Sequence, residues 1–232
     1  MPLFYIDYWY VVLVLPVLII SMIIQAIMKS TYRKYSQIPV RANLTGADMA
    51  GRVLRENGVF SVKIEQVGGE LSDHYDPKKG VIRLSNGVYS GRSVAALGVA
   101  CHEAGHAVQH SQSYAPLSIR NSIAPAVSFC SSISWFVLVI GLVMQADIMI
   151  QIGIILFASA AVFQFITLPV ELNASKRAVA ALRRSGSLSE EELRGAKKVL
   201  TAAAMTYVAA LAASVASLIR VILLAKGNNR RR

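Results

Sequence analysis

Ala100-Cys101-His102-Glu103-Ala104-Gly105-His106-Ala107-Val108-Gln109-His110 is an apolar, helix-forming run that carries the pattern H-E-x-x-H. Histidines four residues apart lie one above the other on a helix face. Their imidazoles can share one zinc ion. Glu103 turns toward the same mouth, where a carboxylate can take a proton from an attacking water. The chain has four histidines, and three of them fall within residues 102–110. The alternative is a pair of half-buried histidines satisfied by their neighbours. The pattern implies one zinc per chain and metal-assisted hydrolysis, with Glu103 as the catalytic base.

Outward from this run the chain becomes too apolar for an ordinary soluble domain. Of its 232 residues 54% are hydrophobic and only 16% are charged, well outside the usual balance. The apolar residues are clustered. Phe4–Met28, Ala126–Gln145 and Ile148–Val170 are each long enough to cross the bilayer as a helix. Leu200–Ile219 is a fourth candidate, rich in alanine, therefore only weakly hydrophobic and expected to pack against protein more than lipid. The first stretch exceeds the length of a signal-peptide core. It runs through Gln25-Ala26-Ile27-Met28-Lys29 into basic residues without a small-x-small cleavage site. It reads as an uncleaved anchor.

The net charge of +11 raises nucleic acid as a partner. The placement of the cations argues for a lipid bilayer instead. Lys29, Arg33, Lys34 and Arg41 follow the first span. Lys176, Arg177, Arg183, Arg184, Arg194, Lys197 and Lys198 lie between the third and fourth. The turn between the second and third has neither Lys nor Arg. The positive-inside rule then places residues 30–120 and 171–198 in the cytoplasm of a multi-pass protein of the cell membrane. Lys226 and Arg230–Arg232 depart from the rule if the fourth segment crosses. Cys101 and Cys130 are the only cysteines. A disulfide between them is not expected in a reducing compartment, and Cys101 reads as a small buried side chain.

The expected fold is a mainly α membrane protein. It has three to four transmembrane helices and a small α+β cytoplasmic zincin-like domain. Residues 1–28 form the anchor, and 29–122 the cytoplasmic domain. Residues 123–170 form a transmembrane hairpin, and 171–198 a cytoplasmic helical segment. Residues 199–225 form the fourth apolar helix, and 226–232 a basic tail. Within the soluble domain Leu44–Asn57 reads as an amphipathic helix, with Thr45 as N-cap, Asp48 three residues on and Gly58 as the stop. Ser61–Val67 alternates like a strand, Gly68–Gly80 reads as a loop and Val81–Ser85 as a second strand. Ser93 caps the H-E-x-x-H helix. Gly105, mid-helix, costs about 1 kcal/mol relative to alanine. Close approach of another backbone or plain packing explains it.

A catalytic zinc takes three protein ligands. His110 is the tempting third, but it lies about 12 Å from His102 along a continuous helix. It is better read as a surface histidine or a wall of the cleft. Acidic residues are few, so elimination helps. Ser189 and Glu192 fit a capping box. Asp7 and Asp147 fall on the far side of the membrane, and Glu56, Glu65 and Glu70 belong to the upstream part of the soluble domain. Glu171 follows the third span directly, in Leu168-Pro169-Val170-Glu171-Leu172-Asn173-Ala174-Ser175. It is the preferred third ligand. The alternative is an interfacial charge paired with Lys176 or Arg177.

Three blocks carry a family resemblance. They are Ala100–His110, Asp73-His74-Tyr75-Asp76-Pro77 and Leu168–Ser175. Together with the order of spans, the chain resembles the YugP-like neutral zinc metallopeptidases, which are bacterial membrane proteins. The wider group, with the membrane heat-shock and CAAX prenyl proteases, uses H-E-x-x-H, a downstream glutamate and an aspartate four residues later. Here that last position is Ser175, so Asn173 or Ser175 is expected to supply a neutral hydrogen bond behind the metal ligands.

The resemblance implies a gluzincin-type endopeptidase that cleaves protein or peptide substrates at the cytoplasmic membrane surface, in protein quality control. His102, His106 and Glu171 would hold zinc and Glu103 would move the proton. Val81–Ser85 is either an edge strand that pairs with substrate or an ordinary core strand. His74, Tyr75 or Tyr89 would stabilise the oxyanion. Otherwise His74 and Tyr75 belong to a loop held by Asp73 and Asp76. The competing reading is a non-catalytic zinc-binding scaffold or chaperone derived from a protease. Metal transport fits less well, because these histidines precede a span.

Overall fold

The computed structural model describes residues 7–229. The first residues of the expected anchor and the end of the basic tail lie outside them. A π-helical turn, Tyr10–Val14, leads into α1 (Leu15–Ser36). Then come α2 (Gly46–Glu56), β1 (Lys63–Val67), β2 (His74–Asp76), β3 (Val81–Ser85) and α3 (Asn86–Tyr89). The remaining elements are α4 (Val94–Ser111), α5 (Ala115–Val143), α6 (Asp147–Ser185) and α7 (Glu190–Asn229). The protein is mainly helical, and four of its helices are long and apolar enough to cross a membrane. They are Tyr10–Ser36, Ala115–Val143, Asp147–Ser185 and Glu190–Gly227. The alanine-rich fourth is as apolar as the second and third, against the expectation of a weaker segment.

The chain divides into two compact units. One comprises residues 1–24, 119–168 and 206–232. Here α5 and α6 approach closely at small residues. A Cβ on Gly141 would stand 2.9 Å from the backbone nitrogen of Ile150. The turn joining them puts Gln145 in the left-handed region (φ 53°). In the same unit Asp7 accepts from Arg220 Nη2 at 2.6 Å, and the Arg220 guanidinium stands 5.3 Å from the centre of the Tyr10 ring. A buried or half-buried charge in an apolar setting needs such a partner.

The other unit comprises residues 25–118 and 169–205 and holds the sheet. Its helices start where the sequence indicates. Thr45 and Asp48 form a reciprocal capping box, with Asp48 N donating to Thr45 Oγ1 at 3.1 Å and Thr45 N to Asp48 Oδ2 at 3.0 Å. Ser93 Oγ accepts from Ala96 N at 3.2 Å. Ser189 and Glu192 form a second capping box at the start of α7. The core joins Met49, Val53 and Leu54 of α2, Ile82 and Leu84 of β3, and Leu97, Cys101, Ala104 and Val108 of α4. Ala178 and Leu182 of α6 and Ala196 of α7 close it.

One strand expectation changes, and one open alternative is decided. His74–Asp76, expected as loop, is a third strand; it is three residues long and too short to show an alternation. The sheet order is β1-β3-β2, so Val81–Ser85 is the central strand and not an edge open to substrate. It pairs parallel with β1 and antiparallel with β2. Its burial explains this: Val81, Ile82, Leu84 and Ser85 are all covered. The one charge on β3, Arg83, is held from both sides, by Asp76 at 3.2 Å and Glu65 at 3.6 Å.

Gly105 faces the backbone of α6. A Cβ there would lie 3.0 Å from the Ala174 carbonyl oxygen and 3.5 Å from its Cα. The close approach expected from sequence is therefore present, and its partner is α6. Gly105→Val is expected to destabilise the protein by about 1–3 kcal/mol through overpacking, read as a lowered midpoint of thermal unfolding in detergent.

Candidate metal centre

His102 and His106 project from α4 with their rings edge to face, centroids 4.7 Å apart. Glu171, one turn after Leu168-Pro169 in α6, meets them. His106 Nε2 lies 3.2 Å from His102 Nε2. Glu171 Oε2 lies 3.3 Å from His102 Nε2 and 3.4 Å from His106 Nε2. The three atoms form a near-equilateral triangle. A tetrahedral zinc with bonds of about 2.0–2.1 Å needs ligand atoms about 3.3–3.4 Å apart. The triangle therefore has the size of one face of that tetrahedron, and its two-nitrogen, one-oxygen donor set suits zinc. Among the described residues these three form the group able to hold a metal ion.

The protonation of His106 follows from its neighbours. Gln109 is fully buried, and its Nε2 donates to the Val170 carbonyl at 2.9 Å and to Asn173 Oδ1 at 2.9 Å. A backbone carbonyl only accepts, so that end of the amide is the nitrogen. Arg177 Nε donates to the same Asn173 Oδ1 at 2.8 Å, which fixes the Asn173 amide too. Gln109 Oε1 then faces His106 Nδ1 at 2.9 Å, so Nδ1 must be the donor. Nε2 of the neutral ring keeps its lone pair for the centre of the triangle. On His102 the equivalent contact is Ser175 Oγ, 3.2 Å from Nδ1. Ser175, where the resembled group has aspartate, thus touches a ligand ring directly. Asn173 acts one step further back, through Gln109. Gln109 was not singled out from sequence, although a polar residue three positions after His106 on an apolar helix was a usable signal.

Glu103 is buried, at 8% exposure, on the same helix. No hydrogen bond or salt bridge engages its carboxylate among the described residues. The recorded contacts of the other candidates are with residues outside the triangle. His110 is outside the ligand group, as helix pitch requires, and its Nδ1 is 2.8 Å from the Tyr75 hydroxyl. His74 Nδ1 is 2.8 Å from the Ser72 carbonyl, and Arg83 is near its Nε2. Asp73 accepts from the backbone N–H and hydroxyl of Ser85, twelve residues on, and so ties the segment before β2 to the end of β3. Tyr89 packs against the apolar core. Cys101 is buried and outside the ligand group, and burial pushes its thiol well above the usual range.

The profile of the family described as "Putative neutral zinc metallopeptidase" matches residues 10–226. The chain belongs to that family. A relative in Bacillus subtilis (strain 168), "Putative membrane protease YugP", is 45% identical over 197 residues, which cover 85% of this chain and 88% of that protein. No solved structure matches. A zinc peptidase family needs a zinc-binding donor set, and among the described residues the triangle is the group that could supply one.

Two outcomes follow for zinc. Gln109→Leu removes the acceptor that sets the His106 tautomer and is expected to weaken zinc binding by about 10–100-fold, measured by chelator competition. Burial disfavours charge on His106, but the Glu171 hydrogen bond, the Glu103 and Glu171 charges and the Gln109 bond together raise its pKa. A proton and a cation compete for the same nitrogen. Zinc affinity is therefore expected to fall as pH drops, by about tenfold per pH unit for one displaced proton. The fall should begin above the ordinary imidazole value of about 6.5. A flat affinity between pH 8 and pH 6, conditions taken about the ordinary imidazole range, would contradict it.

Proposed function

We propose that this chain is an integral-membrane zinc endopeptidase of the gluzincin type, with one zinc per chain. The observation that carries the reading is the His102–His106–Glu171 triangle beside an unengaged, buried Glu103. His102, His106 and Glu171 would hold the metal. Zinc in such a site supplies Lewis acidity toward water and the scissile carbonyl. Glu103 takes the proton of the attacking water and delivers it to the leaving amine, so the base of the first step is the acid of the second. Gln109 and Ser175 hold the two rings in place while this occurs.

Substrate pairing belongs to a free edge of the sheet. β2 is favoured over β1, because its Tyr75 reaches His110 on the helix that carries Glu103. An extended peptide adding to His74–Asp76 would use main-chain hydrogen bonds and so tolerate varied sequences. The distribution of Lys and Arg favours a cytoplasmic active site. The Asp7–Arg220 pair supports four crossings, since it brings the start of the first span beside the far end of α7. A role in clearing damaged membrane proteins fits a catalytic group built on such helices.

Glu103→Gln is expected to retain zinc and to cut cleavage of an unstructured reporter such as casein by about 10²–10⁴-fold. Glu171→Ala, in parallel, is expected to lose zinc as well as activity. Full activity in the first variant, or stoichiometric zinc in the second, would overturn these assignments.

A further inference from the structure

A groove of about 700 Å³ lies between α1 and α7, within the unit that holds the sheet. Lys34 enters it from α1, and Arg194, Lys197 and Lys198 enter it from α7. All four side chains are exposed, and no acidic residue lines the groove. Among the described residues, none of the four is in a salt bridge. Glu192, on the first turn of α7, is already engaged by the backbone N–H groups of Arg41 and Ser189. Glu191 and Glu192 line an adjoining pocket with Lys34, Arg194 and Lys198, but the four cations outnumber these two acids, and the excess positive charge favours an added anion.

The groove is built into the packing. The Tyr35 ring sits on α7 where Gly195 leaves room, and a Cβ at Gly195 would lie 2.6 Å from the ring. Three residues earlier on α1, Tyr32 packs in a cluster with Val199. Stepping back along α1 steps forward along α7, so the two helices run antiparallel here. Continuing the same way brings in Ile27 and Met205, with Ala202 between them. Ile27 is next to the end of the first apolar stretch, and Met205 lies in the apolar stretch of α7. The cations thus cluster toward one end of the groove, and its other end is apolar and continuous in sequence with the spans.

We propose that this groove binds an anionic phospholipid, headgroup phosphate among the four cations and acyl chain along Ile27, Ala202 and Met205. Basic pockets between membrane helices recognise such headgroups. A free phosphate would leave the apolar end unused, which is why the lipid is preferred. The proposal is independent of catalysis, because none of these residues belongs to the metal centre.

The test uses the full chain in detergent, with bound lipid counted by native mass spectrometry after addition of phosphatidylglycerol or phosphatidylcholine. Wild type is expected to retain phosphatidylglycerol in preference. The combined variant Lys34→Gln, Arg194→Gln, Lys197→Gln, Lys198→Gln is expected to lose that preference by about tenfold or more. Ala202→Trp, which keeps every cation and fills the apolar end, is expected to lose it too. A control neutralising Arg55, Lys63, Lys78 and Lys79, exposed residues outside the groove, is expected to keep it. Retained zinc reports that each variant is folded. Equal retention of the two lipids by wild type, equal loss in the control, undiminished binding by Ala202→Trp, or displacement by inorganic phosphate would each overturn the proposal.

Discussion

The buried amide of Gln109 is the constraint on which the site depends. Its three hydrogen bonds connect α4 to the Val170 backbone and Asn173 side chain of α6, and to the imidazole of His106. An unmet polar group at this depth costs about 1–3 kcal/mol, so the amide tolerates few relative positions of the two helices. Gly105 permits the close approach, and Gln109 sets its register. Arg177 extends the same lock, donating to Asn173 and, at 2.7 Å, to Gln112 at the end of α4. The helix that carries His102 and His106 is thereby held against the helix that carries Glu171.

Much of this was legible because it is local. The helix starts at Thr45, Ser93 and Ser189 rest on contacts three residues apart, and the sequence shows them. The two histidines rest on the helical repeat, and the same repeat removes His110. Glu171 was reachable because acids are scarce and other roles were visible for the rest. The order of the strands was not legible. β3 is central because both β1 and β2 bond to it, and no pattern within Val81–Ser85 distinguishes a covered edge from a middle strand. Gln109 was overlooked for a related reason: its partners are 61 and 64 residues away. A polar residue on an apolar helix face signals that some partner exists, without saying which.

The presence of a hydroxyl, Ser175, rather than a carboxylate behind His102 has a physical consequence. An aspartate behind a ligand imidazole adds charge and raises the basicity of the ring. A serine hydroxyl orients the ring without adding charge. The negative charges near the triangle are then Glu171, within it, and Glu103, beside it. In the proposed mechanism this keeps the Glu103 carboxylate distinct from Ser175 and Gln109, which touch the two rings.

With no proton between them, three electron-rich atoms 3.2–3.4 Å apart do not attract one another. A positive charge among them reverses the balance, and either a proton on His106 or a divalent cation can supply it. The divalent cation supplies more charge and contacts all three atoms at once. Binding is therefore linked to the junction of α4 with α6, because ligands from both helices must be in place together. A cation at this position adds its binding free energy to the same junction that Gln109 and Gly105 define. The packing that brings the three side chains together would then make a bound cation a structural element of the unit that carries it.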